Sequence, residues 1–318
     1  MSSRANTGVR RAYHQLRQWA RRAVPFHWRW RIVQSLGGYS RPSTGWLPAF
    51  ASGSFTDPGA PATGLGRAVI VIVSYNNLDY LRLCLDSLWG WTGYDDFRVV
   101  VVDNGSELEV VRYLRAAADS ESRLQVIYNQ ANLGFARANN LGIEAAADCD
   151  CVVLLNNDTV VTPGWLPALL RHLQDPAIGL VGPVTNSAGN EARIDVAYRT
   201  LLELRDLAVR RAGQYGGQVF DIPVLAMYCV ALRRTVLEEI GRLDEQFGVG
   251  LFEDDDYAER VRRAGYRVVC AEDVFVHHWG GASFSSLPVA EYERLFAENR
   301  RKFEKKWGRK WRPHQGRP

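Results

Sequence analysis

The chain has 318 residues, 47% hydrophobic and 23% charged, which supports a sizeable core and excludes disorder over most of its length. No apolar run reaches the roughly 18 residues of a spanning helix, and five scattered cysteines without a CxxC pair exclude a zinc ribbon or disulfide scaffold and suit a reducing cytoplasm. The net charge of +4 conceals basic ends around an acidic middle: residues 1–56 carry nine arginines and no acid, residues 294–318 carry ten Lys/Arg against Glu298 and Glu304, and 57–293 hold 20 bases against 33 acids, a net of −13.

From Val9 to Ala23, apolar residues recur at helical spacing among arginines, and Trp28 and Trp30 follow. An arginine-rich amphipathic helix of this kind suits the headgroup region of an anionic membrane, or a packing role on the domain. The C-terminal run from Phe303 to Trp311 repeats the basic-plus-tryptophan theme, so residues 1–34 and 294–318 are the expected membrane contacts, on the inner face of the cell membrane. Nucleic acid is not an expected partner, because the acidic middle would repel phosphate. Residues 37–66 are rich in Gly, Pro, Ser and Thr and read as a linker. The chain therefore divides into a basic N-terminal segment and linker at 1–66, a domain at 67–285 and a basic C-terminal helix or tail at 286–318.

The domain opens on Ala68-Val-Ile-Val-Ile-Val73, a continuous apolar run expected of a strand buried on both faces. Strands at 97–102, 124–128 and 151–155 alternate with helices around Leu81–Leu88, Val110–Ala117 and Phe135–Ala147. Such alternation predicts an α/β fold, a mostly parallel sheet with helices on both faces and ligands at the carboxyl ends of the strands. Three polar clusters fall at those ends: Ser74-Tyr-Asn-Asn77, Asp103-Asn-Gly-Ser106 and Asn156-Asn-Asp-Thr159. A dinucleotide fold is excluded, since Gly64-Leu-Gly66 precedes the first strand, and no GxxxxGK[ST] loop exists. Each cluster alone would pass for a turn or a helix cap. Together with the loop Asn129–Phe135 they suit a nucleotide, with Asp103 accepting from a base N–H and Asp158 holding a divalent cation against a diphosphate.

Further on, Phe252-Glu-Asp-Asp-Asp256 crowds acids at a helix N-terminus, where the helix dipole alone would favour them. At 100° per residue Asp254 shares the inward face of Tyr257, Ala258 and Val261, while Asp255 and Asp256 turn away from it. Residues 183–223 loosen in pattern and read as a mobile lid or acceptor-side insertion, and Met227–Ala231 as core.

Five motifs in order over 67–285 carry a resemblance: Ser-Tyr-Asn-Asn at 74–77, Asp103-Asn-Gly-Ser, Asn132-Leu-Gly-Phe-Ala-Arg-Ala-Asn-Asn140, Asn156-Asn-Asp158 and the Glu253-Asp254 pair. The chain resembles family 2 glycosyltransferases, in particular the rhamnosyltransferase-like members that build bacterial surface polysaccharides. That resemblance implies a GT-A fold with a Rossmann-like nucleotide half and an acceptor half. It implies a UDP- or dTDP-linked sugar donor, a glycan or lipid-linked glycan acceptor, and Mn2+ or Mg2+. Nucleotide contacts are implied at Ser74, Tyr75, Asn76, Asp103, Asn104, Asn132, Gly134, Asn140, Asn156 and Asn157, and the catalytic pair at Glu253 and Asp254, with Asp254 the base. A single displacement with one base implies inversion at the anomeric carbon. Asn156 replaces the first acid of the family's Asp-x-Asp, leaving Asp158 as the carboxylate ligand. A histidine completes the metal site in this family. Alternation along a strand presents only one of His277 and His278 to the site, and His277 is the expected one. Two other classes share an α/β nucleotide fold: a sugar nucleotidyltransferase, which would need a basic glycine-rich loop where Ser74–Asn77 stands, and a non-catalytic nucleotide-sugar-binding subunit.

Overall fold

Alternate residues of the first strand enter two different cores. In Ala68–Ser74 (β1), Ile70 and Ile72 face one apolar cluster and Val69 and Val71 the other, with Ile70, Val71 and Ile72 fully buried. A period-two strand with both faces covered needs an unbroken apolar sequence, and each fully buried Ile or Val contributes about 1.5–3 kcal/mol. The structure, a computed structural model, describes residues 66–280 and 288–317. The amphipathic helix expected at 9–23, the membrane contact at 1–34 and most of the linker lie outside the described residues.

The chain continues through α1 (Leu78–Trp91), β2 (Phe97–Asp103), α2 (Leu108–Ser120), β3 (Leu124–Tyr128), α3 (Phe135–Ala145) and β4 (Cys151–Asn156). These strands pair in parallel in the order β3-β2-β1-β4. After β3 the chain crosses to the far side of β1, so the strand order reverses between β1 and β4, the place where open α/β sheets offer a ligand crevice at the carboxyl ends of the strands. Helices α1 and α2 cover one face through Leu81, Leu85, Leu88, Val110 and Leu114, and α3 covers the other through Ala138 and Ile143.

Beyond β4 the simple alternation ends. There follow β5 (Thr159–Val160), α4 (Trp165–His172), β6 (Ile178–Val184), α5 (Leu201–Tyr215), β7 (Val219–Asp221), β8 (Cys229–Arg233), α6 (Arg234–Ile240), α7 (Glu253–Arg263), β9 (Arg267–Phe275), β10 (His277–His278) and α8 (Val289–Trp307). The eight-stranded sheet has the order β3-β2-β1-β4-β8-β6-β9-β7, with β8 antiparallel to both β4 and β6. Met227 to Ala231 is buried as expected, but an apolar run carries no direction, and its antiparallel course comes from the connections around it.

The segment read as a mobile lid or an acceptor-side insertion is tied to the fold at several points. Thr185 N donates to Ala192 O and Ile194 N to Thr185 O, Asn190 Nδ2 donates to Val224 O at 2.8 Å, and Ala192, Leu201 and Leu204 are buried. Small apolar residues among the polar ones supply the anchors that a loose pattern conceals.

Gly134, just before α3, has φ +85°, and a Cβ there would lie 2.2 Å from Gly248 O. Phe135 N also donates to Val249 O, so the β3–α3 loop and the approach to α7 are in backbone contact. Gly134→Ala should lower stability by about 2 kcal/mol, read as a reduced urea midpoint. An unchanged midpoint would mean that the two loops separate freely.

Candidate active site

The parallel register sets the polar clusters side by side. Ser74 pairs with Asp103, Val73 with Asn156 and Asp103 with Tyr128, so four strand ends share one edge. Asp103 is 1% exposed and Ser74 0%. Asp103 Oδ2 accepts weakly from Ser106 N at 3.4 Å, while Asp103 Oδ1 and Ser74 Oγ have no hydrogen-bond partner among the described residues. Burial pushes the Asp103 carboxyl above its ordinary pKa, against the bonds from Ser106. Asn76 and Asn77 adopt left-handed φ of 54° and 55°, which asparagine tolerates better than most residues. The turn is held by Asn76 N donating to Ser106 Oγ at 2.8 Å and by Glu107 N donating to Asn76 Oδ1 at 2.9 Å.

The neighbouring strand end carries a second pair. β5 and β10 form a two-residue antiparallel ribbon with Thr159 opposite His278 and Val160 opposite His277. His278 Nε2 thereby lies 3.3 Å from Asp158 Oδ1, and His278 Nδ1 is 2.8 Å from Ser187 O. The carbonyl requires a proton on Nδ1, which leaves Nε2 as the lone-pair nitrogen of the neutral ring. Tyr228 stacks on this imidazole, with centroids 4.8 Å apart at 15°. Burial opposes charge on His278, but Asp158 and Ser187 outweigh it and raise its pKa. His277 turns to the opposite side, where its Nδ1 bonds the Tyr198 hydroxyl and its ring meets Trp279 edge-on at 4.5 Å. Burial and the adjacent His278 depress its pKa to about 3, so it is neutral. The expectation of His277 as the inward histidine is corrected to His278: pairing with β5, not the apolar character of the preceding strand, decides which face each presents.

The acids of α7 form the third part. Glu253 Oε2 is buried with no partner among the described residues, and Asp254 Oδ1 accepts from Asp255 N at 2.9 Å. Burial first, and then neighbouring carboxylates, push both Glu253 and Asp254 well above the usual carboxylate range. Asp254 is half-buried, so part of its surface stays open. Asp255 and Asp256, expected to turn away from the packed face, are more buried, at 8% and 0%. A second layer covers them: Trp311 Nε1 donates to Asp255 Oδ1 at 3.0 Å, and Trp307 Nε1 to Asp256 Oδ1 at 3.0 Å.

Residues 69–241, more than half of the chain, match Glycosyl transferase family 2. The chain belongs to that family. Among curated relatives, the pre-mycofactocin glycosyltransferase of Mycobacterium tuberculosis is 32% identical over 66% of this chain and 42% of its own length. The O-antigen biosynthesis protein RfbC of Myxococcus xanthus is 27% identical over 76% of this chain and 20% of its own. The chain thus spans less than half the length of either relative. Among solved structures, the mannosyltransferase PcManGT of Pyrobaculum calidifontis, in complex with GDP-Man and Mn2+, superposes with a TM-score of 0.51 at 20% identity, covering 78% of this chain and 67% of that one. The fold is that of the GT-A glycosyltransferases.

Within this family 2 chain, several residues expected at the nucleotide are engaged elsewhere. Asn140 donates through Nδ2 to Leu243 O and Glu245 Oε1, both at 2.9 Å, and accepts from Leu243 N at 3.0 Å. Asn104 donates to Asn132 Oδ1 at 2.8 Å and accepts from Asn129 Nδ2 and Leu133 N, both at 3.0 Å. Asn132 Oδ1 also accepts from Gly134 N at 2.9 Å. These amides and Gly134 brace the loops at the strand ends, so Asn140, Asn104 and Gly134 have a structural use beside the nucleotide contact expected of them. Asn157 keeps a buried Nδ2 with no partner among the described residues, and Asn156, Tyr75 and Asn76 stay partly open at the edge. Sequence reasoning missed Tyr228, Ser187 and Trp311. Only the tryptophan left a signal, by recurring among bases in the tail. Among the described residues no group of three or more His, Cys, Asp or Glu is arranged to hold a metal, so Asp158 and His278 stand as a pair.

Asn140→Ala would leave the buried N–H and C=O of Leu243 without these bonds. It should cost about 2 kcal/mol in denaturant unfolding without weakening nucleotide binding. A large loss of nucleotide affinity at unchanged stability would restore Asn140 to the donor site.

Proposed function

We propose that this chain transfers a glycosyl group, with inversion, from a UDP- or dTDP-linked sugar to a hydroxyl of a glycan or lipid-linked glycan. The observation that carries the reading is the buried Asp103 oxygen beside the Ser74 hydroxyl, at the edge where Asp158 and His278 meet. A buried carboxylate oxygen without a donor is costly, and an imide N–H of uracil or thymine supplies one.

Asp158 Oδ1 and His278 Nε2 would hold a divalent cation. Their 3.3 Å separation is close to the roughly 3 Å between neighbouring ligand atoms of a six-coordinate ion bound at about 2.1 Å. Two protein ligands with the remaining positions left to diphosphate oxygens and water is the usual arrangement for Mg2+, and the imidazole suits Mn2+. The Mn2+ complex of PcManGT, a protein of the same fold, supports the reading. When bound, the cation supplies Lewis-acid stabilisation of charge on the departing diphosphate.

Asp254 accepts the proton of the acceptor hydroxyl as that oxygen bonds to the anomeric carbon. The bond from that carbon to the diphosphate oxygen breaks on the opposite face, and the nucleoside diphosphate leaves with the electron pair. Burial gives Asp254 a proton affinity closer to working pH than that of a solvated carboxylate, which is what a general base needs. Glu253, its neighbour in the expected catalytic pair, is held toward its protonated form by burial.

Asp254→Asn should lower kcat by about 1,000-fold while donor affinity is unchanged. Full activity in that variant would remove Asp254 as the base, and a retained anomeric configuration by product NMR would overturn the single displacement. Because the Asp254 pKa is raised and the ionised form is the base, kcat should fall as pH drops through a value well above the usual carboxylate range. A rate flat down to the pKa of a solvated carboxylate would contradict this.

His278 must lose its proton before binding a cation, and its pKa is raised, so Mn2+ affinity by calorimetry should increase with pH. His278→Ala should weaken Mn2+ by more than about tenfold and His277→Ala should not. The reverse order would return the metal role to His277.

A further inference from the structure

The turn that launches the catalytic acids does not stabilise itself. Gly248, Gly250, Leu251 and Phe252 have φ of +66°, +150°, +77° and +76°. Two bulky residues in the left-handed region cost of order 1–3 kcal/mol each and persist only where surrounding structure over-determines them. Here the surroundings are α8. Asn299, 1% exposed, donates through Nδ2 to the carbonyls of Phe247 at 2.7 Å, Gly250 at 2.8 Å and Leu251 at 3.2 Å. Lys302 Nζ holds the other end of that amide at 3.0 Å and also reaches Gln246 O at 2.7 Å.

Past α8 the tail returns across the start of α7. Trp311 packs on Phe252 and Phe296, with centroids 5.4 and 5.5 Å away, and its Nε1 takes one oxygen of Asp255. His314 Nε2 lies 3.2 Å from the other. Arg317 then bonds Glu191 O and Glu272, both at 2.7 Å, and anchors the far end.

We propose that the C-terminal segment 299–314 positions the catalytic base: Asn299 sets the turn that aims Asp254, and Trp311 with His314 draws the charge of Asp255 away from it. The proposal rests on Asp254 being the base. The charged groups around Asp254 agree with it. On α7 these are Glu253 and Asp255, and from the tail His314, which itself faces Glu191. After burial, Asp255 raises the Asp254 pKa and His314 lowers it, while burial and then Asp255, Asp254 and Glu191 act on His314 to leave its own pKa raised.

The test uses the full chain and measures melting temperature, donor affinity, kcat, KM and the pH profile of kcat. His314→Ala should leave melting temperature and donor affinity near wild type. It should lower kcat about tenfold near neutrality and move the acid limb to higher pH, so that activity returns in alkaline buffer. His314→Arg, which keeps a cation, should restore the limb. Asn299→Ala should lower kcat by about 10- to 100-fold at every pH with KM for donor unchanged, because a misaimed base is not corrected by ionising it. Should that variant fail to fold, Trp311→Phe, which keeps the ring and removes the N–H, should reproduce the His314→Ala profile. An acid limb unmoved in both His314→Ala and Trp311→Phe, with activity falling only in step with folded protein, overturns the proposal. If Asp254→Asn is inactive and the limb is unmoved, the positioning role falls while the base stands. If Asp254→Asn stays active, both fall.

Discussion

A carboxylate withdrawn from water costs several kcal/mol unless a partner reaches it, and this constraint sorts the acids of the chain. Asp256 is answered by Arg260 and Lys306, Asp255 by Trp311 and His314, and Asp273 by His172 and Gly217 N. Those acids are satisfied within the protein. Asp103 and Glu253 each keep a buried oxygen with no partner among the described residues, and Asp158 lies beside His278, which can itself be a metal ligand. Asp103 stands at the strand ends where the order reverses and Glu253 at the start of α7, and the proposed donor contact follows from what Asp103 lacks.

The same accounting changes the view of the C-terminal region. Its basic residues and tryptophans resemble a membrane-surface patch in composition, yet several of them also pair with acids of the domain or of α8 itself. Arg294 pairs with Glu298, Arg300 with Glu304, Lys306 with Asp244 and Asp256, and Arg309 with Glu259. Trp307 and Trp311 spend their N–H groups on α7. The tail therefore has a structural use as well, while Arg301, Lys305, Lys310 and Arg312 stay exposed on it. No helix among the described residues is long and apolar enough to cross a membrane.

Several expected site residues also carry structural work, for a shared reason. Asn140 and Asn104 sit in motifs that suggest ligand contact, but an amide serves equally well as a brace between backbone segments, and both are used that way. Composition does not distinguish the two uses, because the partner of Asn140 is Leu243, over a hundred residues away. The histidine pair shows the same limit: alternation says that one faces the site, and only the pairing of β10 with β5 says which.

By itself the sequence determined the early strands, the helices between them, the polar clusters at their carboxyl ends and the family, because buried parallel strands demand unbroken apolar runs and ordered motifs are local. Only the tertiary structure decided which acids are satisfied, which histidine faces Asp158, that β8 runs antiparallel and that the tail encloses α7. Each of those depends on contacts between residues far apart in the chain, and desolvation and hydrogen-bond geometry act across such contacts without leaving a periodic trace in the order of amino acids.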